Sequence, residues 1–150
     1  MSHAPTLRPF SPTDFDRLYE IDQACYPSGI AYSKRTLRWF LHQPASMCYV
    51  AAEGDEIIGF IIAEWDASHG HIITLDVTEN HRRSGVGSAL LREVESSLAL
   101  RGVRRIQLET ATDNEPAIAF WEKHGYRTRG IVKNYYLDRI DALWMQKVMA

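Results

Sequence analysis

The chain has 150 residues, 45% of them hydrophobic and 24% charged, with 17 basic against 19 acidic residues and a formal net charge of −2. That length suits a single domain with its own core, taken here as residues 1–150. The near-neutral balance gives no general electrostatic grip on nucleic acid or an anionic membrane, and no apolar run is long enough to span a bilayer.

MSHAPTLRPF lacks the apolar centre of a signal peptide. Cys25 and Cys48 have no metal-ligand spacing, so they read as free thiols in a reducing cytoplasm, with one disulfide as the alternative.

Taken in chain order, SPTDFDRLYEIDQAC opens with Ser11 as N-cap and Pro12 at the first helical position. Phe15, Leu18, Ile21 and Cys25 then share one helical face. YPSGIAY is a loop, and SKRTLRWFLHQ is a second short helix that Pro44 ends. MCYVAAE, EIIGFIIAEW and HIITLDV are strands parted by turn residues, which predicts an antiparallel meander.

Val86, Ala89, Leu90, Val94 and Leu98 repeat at helical spacing until Gly102. VRRIQLETA is the next strand, and NEPAIAFWEKHG is a helix capped by Asn114 and stopped by Gly125. YRTRGIVKNYY and ALWMQKVM close the chain as strands. The predicted order is ααβββαβαββ, a mixed α/β (α+β) domain.

HRRSGVGSALL places Gly85 and Gly87 where a helix must begin, directly after a strand. The first amides of a helix lack internal partners and carry the positive end of its dipole. Glycines let a ligand approach them closely, and a phosphate is the natural guest, with Arg82 and Arg83 adding charge. No Lys-Ser/Thr pair follows, so this is not a Walker A loop, and the third glycine of a dinucleotide fingerprint is missing. By itself the pattern also fits a plain glycine-containing turn.

The wider run LDVTENHRRSGVG, a strand carrying Glu109, and DNEPAIAFWEKHGY together resemble the GNAT family of acetyl-CoA-dependent N-acetyltransferases. LET, the same helix and KNYYLDRIDALWMQKVM are similar to protein N-terminal acetyltransferases of the bacterial ribosomal-protein alanine type.

The resemblance implies the GNAT fold, a mostly antiparallel mixed sheet flanked by helices, with acetyl-CoA as cosubstrate and no metal. It implies that the main chain of Leu75, Asp76 and Val77 lines the pantetheine and acetyl group, with the Val77 amide polarising the thioester. It assigns Arg82, Arg83, Ser84, Gly85, Val86, Gly87 and Ser88 to the pyrophosphate, and Asn114 to a further coenzyme contact. Glu109 falls at the general base, against the plainer alternative of a strand-end carboxylate paired with Arg104 or Arg105.

His71 falls where some related enzymes place a catalytic tyrosine, and it would relay a proton. Tyr32, Tyr135 and Tyr136 lie in the two loops that would grip a protein or peptide N-terminus, while Tyr26 reads as core. One departure stands out. The family's general-acid tyrosine is replaced by Trp121, whose indole can donate a hydrogen bond but cannot give up its proton. Acetylation of a small amine, or coenzyme binding without catalysis, are the competing readings.

Overall fold

A strand made from EIIGFIIAEW must be buried on both faces, because its apolar residues are consecutive rather than alternating. The computed structural model, which describes residues 4–149, places this run in the interior of a seven-stranded sheet. It is β3 (Glu56–Asp66). Ile57, Phe60 and Ile62 join one apolar cluster with Phe15, Leu18 and Ile21 of α1 (Phe15–Cys25) and Leu37 of α2 (Lys34–Leu41). Ile58, Ile61 and Ala63 join the other, with Val86, Leu90, Leu91, Val94 and Leu98 of α3 (Val86–Leu100). Helices therefore cover both faces.

The strand order is β1-β2-β3-β4-β5-β7-β6. Here β1 is Thr6–Pro9, β2 Ser46–Glu53, β4 His69–Val77, β5 Arg105–Ala111, β6 Arg127–Tyr136 and β7 Ile140–Val148. The fourth helix, α4, is Glu115–Lys123. Every neighbouring pair is antiparallel except β4 and β5.

The expected order needs one correction, because β1 precedes the first helix and makes it βααβββαβαββ. Four residues ending in proline carry little strand signal, and β1 forms because the outer edge of β2 is open to pairing. Its Arg8 guanidinium grips Asp14 at 2.7 and 2.9 Å. Asp14 also accepts the Ser11 N–H at 2.8 Å, so the N-terminal cap is completed by Asp14 after one 3₁₀ turn.

One irregularity in β4 decides where the site's side chains point. Ala63 pairs with Ile72 but Ile62 pairs with Thr74, so Ile73 is an extra residue in β4. Such a bulge reverses the alternation of side chains beyond it. Ile72 faces the α3 cluster, while Thr74 and Asp76, opposite Ile62 and Phe60, face α1.

Candidate active site

β4 and β5 are paired over three residues only, from His69 opposite Arg105 to His71 opposite Gln107. Beyond His71 the strands diverge, and the β4 edge from Ile72 to Val77 has no strand beside it. The Thr78 N–H donates to Ile58 on β3 at 2.9 Å. Since successive amides of a strand alternate sides, those of Val77 and Leu75 face the unpaired edge.

The turn after β4 presents further free amides. Arg83 and Gly85 adopt left-handed φ values of 62° and 89°, a backbone that gathers consecutive N–H groups toward one point. The first helical bond of α3 runs from Ala89 to Gly85, so the amides of Val86, Gly87 and Ser88 lack helical partners. A side chain at Gly85 would meet nothing within 4 Å, so glycine is required there by φ.

The side chains of this turn are largely occupied. Arg82 Nε donates to the Val77 carbonyl at 3.1 Å, with Nη2 3.5 Å from Cys25 Sγ, so its guanidinium secures the end of β4. Ser84 Oγ bonds the His81 carbonyl, and Ser88 Oγ lies 2.8 Å from His124 Nε2. Asn114 Oδ1 accepts the Ala117 N–H at 3.3 Å and caps α4. Arg83 remains exposed.

At the mouth of the divergence, His71 Nε2 lies 2.7 Å from Glu109 Oε1. Glu109 therefore pairs with His71 rather than with Arg104 or Arg105. Tyr135 Oη donates to the same oxygen at 3.3 Å, Gln107 Nε2 reaches Oε2 at 3.5 Å, and Tyr136 Oη donates to the Glu109 carbonyl at 3.4 Å. On the far side of His71, Nδ1 is 3.9 Å from Glu64.

Burial pulls the His71 imidazole down, but the hydrogen bond and charge of Glu109, with Glu64, outweigh it and raise His71 above its ordinary value. Burial pushes Glu109 up, and His71, Tyr135 and Gln107 more than reverse this. The pair thus favours a proton on the imidazole and a negative charge on the carboxylate.

Tyr135 reaches Glu109 because β6 is irregular. Its pairing with β7 slips between Val132 and Tyr136, Asn134 has φ 53°, and the Asn134 N–H is held by Asp141 at 2.9 Å. The following turn leans on the loop after α1, since a side chain at Gly29 would come within 2.5 Å of Leu137. Tyr32, in that loop, donates to the Ile73 carbonyl at 3.4 Å. Tyr32, Tyr135 and Tyr136 thus gather beside the strand divergence, and burial first, then Tyr135, Asp22 and Tyr136, raises Tyr32 above its ordinary value.

One expectation changes, and one departure gains a structural reason. Tyr26 is half-buried outside the apolar clusters, with its hydroxyl 3.5 Å from Thr74 Oγ1. Trp121 belongs to the α3 cluster, edge-on to Tyr126, so it fills core where the family's tyrosine would face the thiol. Both cysteines are free. Sequence reasoning missed Asp22, a carboxylate on the apolar stripe of α1 one turn after Leu18, which was the available signal.

The model of the Acetyltransferase (GNAT) family matches residues 15–126. The chain belongs to that family. It is accordingly an N-acetyltransferase with acetyl-CoA as acetyl donor. An uncharacterized N-acetyltransferase of Methanocaldococcus jannaschii is 32% identical over 142 residues, spanning 94% of this chain and 90% of that protein. N-alpha-acetyltransferase 30 of Schizosaccharomyces pombe is 33% identical over 116 residues, spanning 74% and 77%. The crystal structure of the ribosomal-protein-S18-alanine N-acetyltransferase from Escherichia coli superposes with a TM-score of 0.87 at 26% identity, covering 97% of this chain and 96% of that one.

This GNAT chain fits the coenzyme on its own geometry. The unpaired β4 edge suits an extended amide-bearing arm, and the free amides of Val86 to Ser88 suit a phosphate. Among the described residues no group of three or more His, Cys, Asp or Glu side chains could hold a metal ion, and no helix is long and apolar enough to cross a membrane.

Proposed function

We propose that this chain acetylates the α-amino group of a protein N-terminus, with the ribosomal-protein alanine type as the acceptor class to test first. The observation that carries the reading is the His71–Glu109 pair at the mouth of the strand divergence, bordered by three tyrosines from two loops that touch. The names of the S. pombe and E. coli relatives support the same class. The free thiols of Cys25 and Cys48 accord with a cytoplasmic setting.

Acetyl-CoA supplies the acyl group in thioester form. The Val77 amide, on the unpaired edge, is the donor for the acyl carbonyl, and such a donor is worth about 3 kcal/mol. Arg83 and the amides from Val86 to Ser88 would hold the pyrophosphate, with Asn114 at its far side. Glu109 Oε1 is taken by His71 and Tyr135, while Oε2 has only the long 3.5 Å contact from Gln107 and is the oxygen to draw the proton from the attacking amine, directly or through a water. The proton then rests on His71 as an imidazolium beside the carboxylate.

The Tyr135 phenol, pushed up to about 12 by burial and by Glu109, stays protonated at neutral pH and serves as a hydrogen-bond donor. With Trp121 in the core, the coenzyme sulfur leaves as a thiolate without a tyrosine acid from α4 and takes up its proton from solvent, which its ordinary pKa near 8.5 permits. An α-amine has a pKa near 8 and a lysine near 10.4, so a lysine acceptor would cost about 3 kcal/mol more to deprotonate. One modest base suits the α-amine.

The experiment is acetyl-CoA consumption with peptides of varied N-termini beside polyamines and free amino acids, for wild type and Glu109→Gln. Turnover on peptides that the variant loses supports the reading. Turnover on small amines alone replaces it with a small-amine acetyltransferase, and coenzyme binding without turnover with a non-catalytic binder.

A further inference from the structure

Two buried carboxylates lie outside the chemistry described above. Asp22 on α1 is fully buried and Asp76 on β4 is 1% exposed. The extra residue Ile73 turns Asp76 toward α1, and there its carboxyl group lies against that of Asp22. Asp22 Oδ2 accepts the Tyr32 N–H at 2.7 Å, and Asp76 Oδ1 accepts Thr74 Oγ1 at 2.6 Å. The remaining oxygens, Asp22 Oδ1 and Asp76 Oδ2, are the buried side-chain polar atoms left without a partner among the described residues.

Two ionised carboxylates offer only acceptors, and buried like charges at this range cannot both persist. One proton held between the two groups turns one acceptor into a donor and offers a partner where the oxygens have none.

We propose that Asp22 and Asp76 share a single proton, and that this acid–carboxylate pair is a positioning device fixing the acceptor loop at Tyr32 to the coenzyme strand β4. The acceptor role of that loop rests on the function proposed above; the shared proton does not. Tyr32 is held at three points: its N–H by Asp22, its carbonyl by Gln23 Nε2 at 2.7 Å, and its hydroxyl on Ile73. Through Asp76, the first of these is tied to the strand segment whose Leu75 and Val77 amides face the coenzyme side. The pair therefore sets the acceptor amine against the thioester.

The titratable groups around the pair are Cys25 and Tyr26 at the end of α1, Tyr32 in the loop and Cys48 on β2, and the Arg82 guanidinium lies beside Cys25. Burial raises Cys25 to about 11 and pushes Tyr26, Tyr32 and Cys48 up as well. Burial and then Asp22 raise Asp76 far above the ordinary carboxylate range. The folded chain thus holds a proton that the unfolded chain releases near pH 4. Its stabilising effect is complete below that pH and is lost as pH rises toward the folded-state value, tenfold in the folding constant per unit.

Asp76→Asn supplies a donor to Asp22 and an acceptor for Thr74 without that proton. Denaturant unfolding across pH should show the folding constant of the variant, relative to wild type, rising about tenfold per unit above about pH 5, then levelling. A ratio constant between about pH 5 and pH 9 overturns the shared proton.

For positioning, Asp22→Ala should raise the acceptor-peptide KM about tenfold, as expected when the Tyr32 N–H loses its acceptor, while the acetyl-CoA KM changes less than about twofold. Asp22→Asn, whose amide oxygen can still accept that N–H, should restore the acceptor KM. Equal effects on both KM values, or no rescue by Asn, overturn the positioning role.

Amide hydrogen exchange at Tyr32 needs no substrate and no folded alanine variant: wild type and Asp22→Asn should both protect this N–H, and fast exchange in either overturns the proposal. If no peptide is acetylated by wild type, the acceptor reading fails while the unfolding and exchange measurements still decide the pair.

Discussion

Along the β4 edge and the turn from Arg82 to Ser88, the groups that the proposed function turns toward a ligand are main-chain amides. Across the cleft they are side chains: Tyr32 from the loop after α1, His71 from β4, Glu109 from β5, Tyr135 and Tyr136 from β6. The first half depends on backbone angles at a few adjacent residues. The second depends on distances between residues as far apart in sequence as Tyr32 and Tyr135. A substitution on the amide side should therefore act through φ, and one on the side-chain side through a lost hydrogen bond or proton.

The largest effect should come from Glu109→Gln, which keeps shape and removes the proposed base. Its kcat should fall by about 10²–10⁴ with the acetyl-CoA KM nearly unchanged, as steady-state kinetics with a reactive peptide will show. A fall in coenzyme affinity of the same size would break the division between the two halves.

His71→Asn should lower kcat about tenfold and move the acid limb of the kcat/KM profile. In the proposed mechanism the active form has His71 neutral, and Glu109 raises His71 above its ordinary value, so wild-type activity should be lost as pH falls through a value above about 6.5. Without the imidazole the limb should drop into the carboxylate range. An unmoved limb would assign it to another group.

Gly85→Val tests the amide side. A β-branched residue at φ 89° costs about 1–2 kcal/mol, so the acetyl-CoA KM should rise about tenfold while the acceptor KM stays put. Smallest is Tyr135→Phe, which removes one partly exposed 3.3 Å bond to Glu109 and should change the acceptor KM by about threefold.

The helices were legible because their apolar residues recur at helical spacing and their ends carry explicit stops. In α3, Val86, Leu90, Val94 and Leu98 do lie in one cluster, and Gly102 has the left-handed φ of 84° that a helix terminator needs. The strand β1 was not legible, since a proline-ended tetrapeptide becomes a strand only when a neighbour offers an edge. Nor was the inward turn of Asp76, because side-chain direction in a strand follows its alternation until a bulge intervenes, and Ile73 is marked as a bulge only by its pairing with β3. Trp121 was visible as a departure from the family, but its packing against Tyr126 was not.

The sequence by itself determined the helices and every strand but β1, the glycine turn ahead of α3 and the family they point to, because each rests on residues a few positions apart, where backbone geometry is set locally. Only the tertiary structure decided that Glu109 pairs with His71, that Tyr135 reaches the same carboxylate, and that Asp22 meets Asp76. Those contacts join separate strands and helices, and they depend on how far two strands diverge and where one of them carries an extra residue. Both are properties of the assembled sheet.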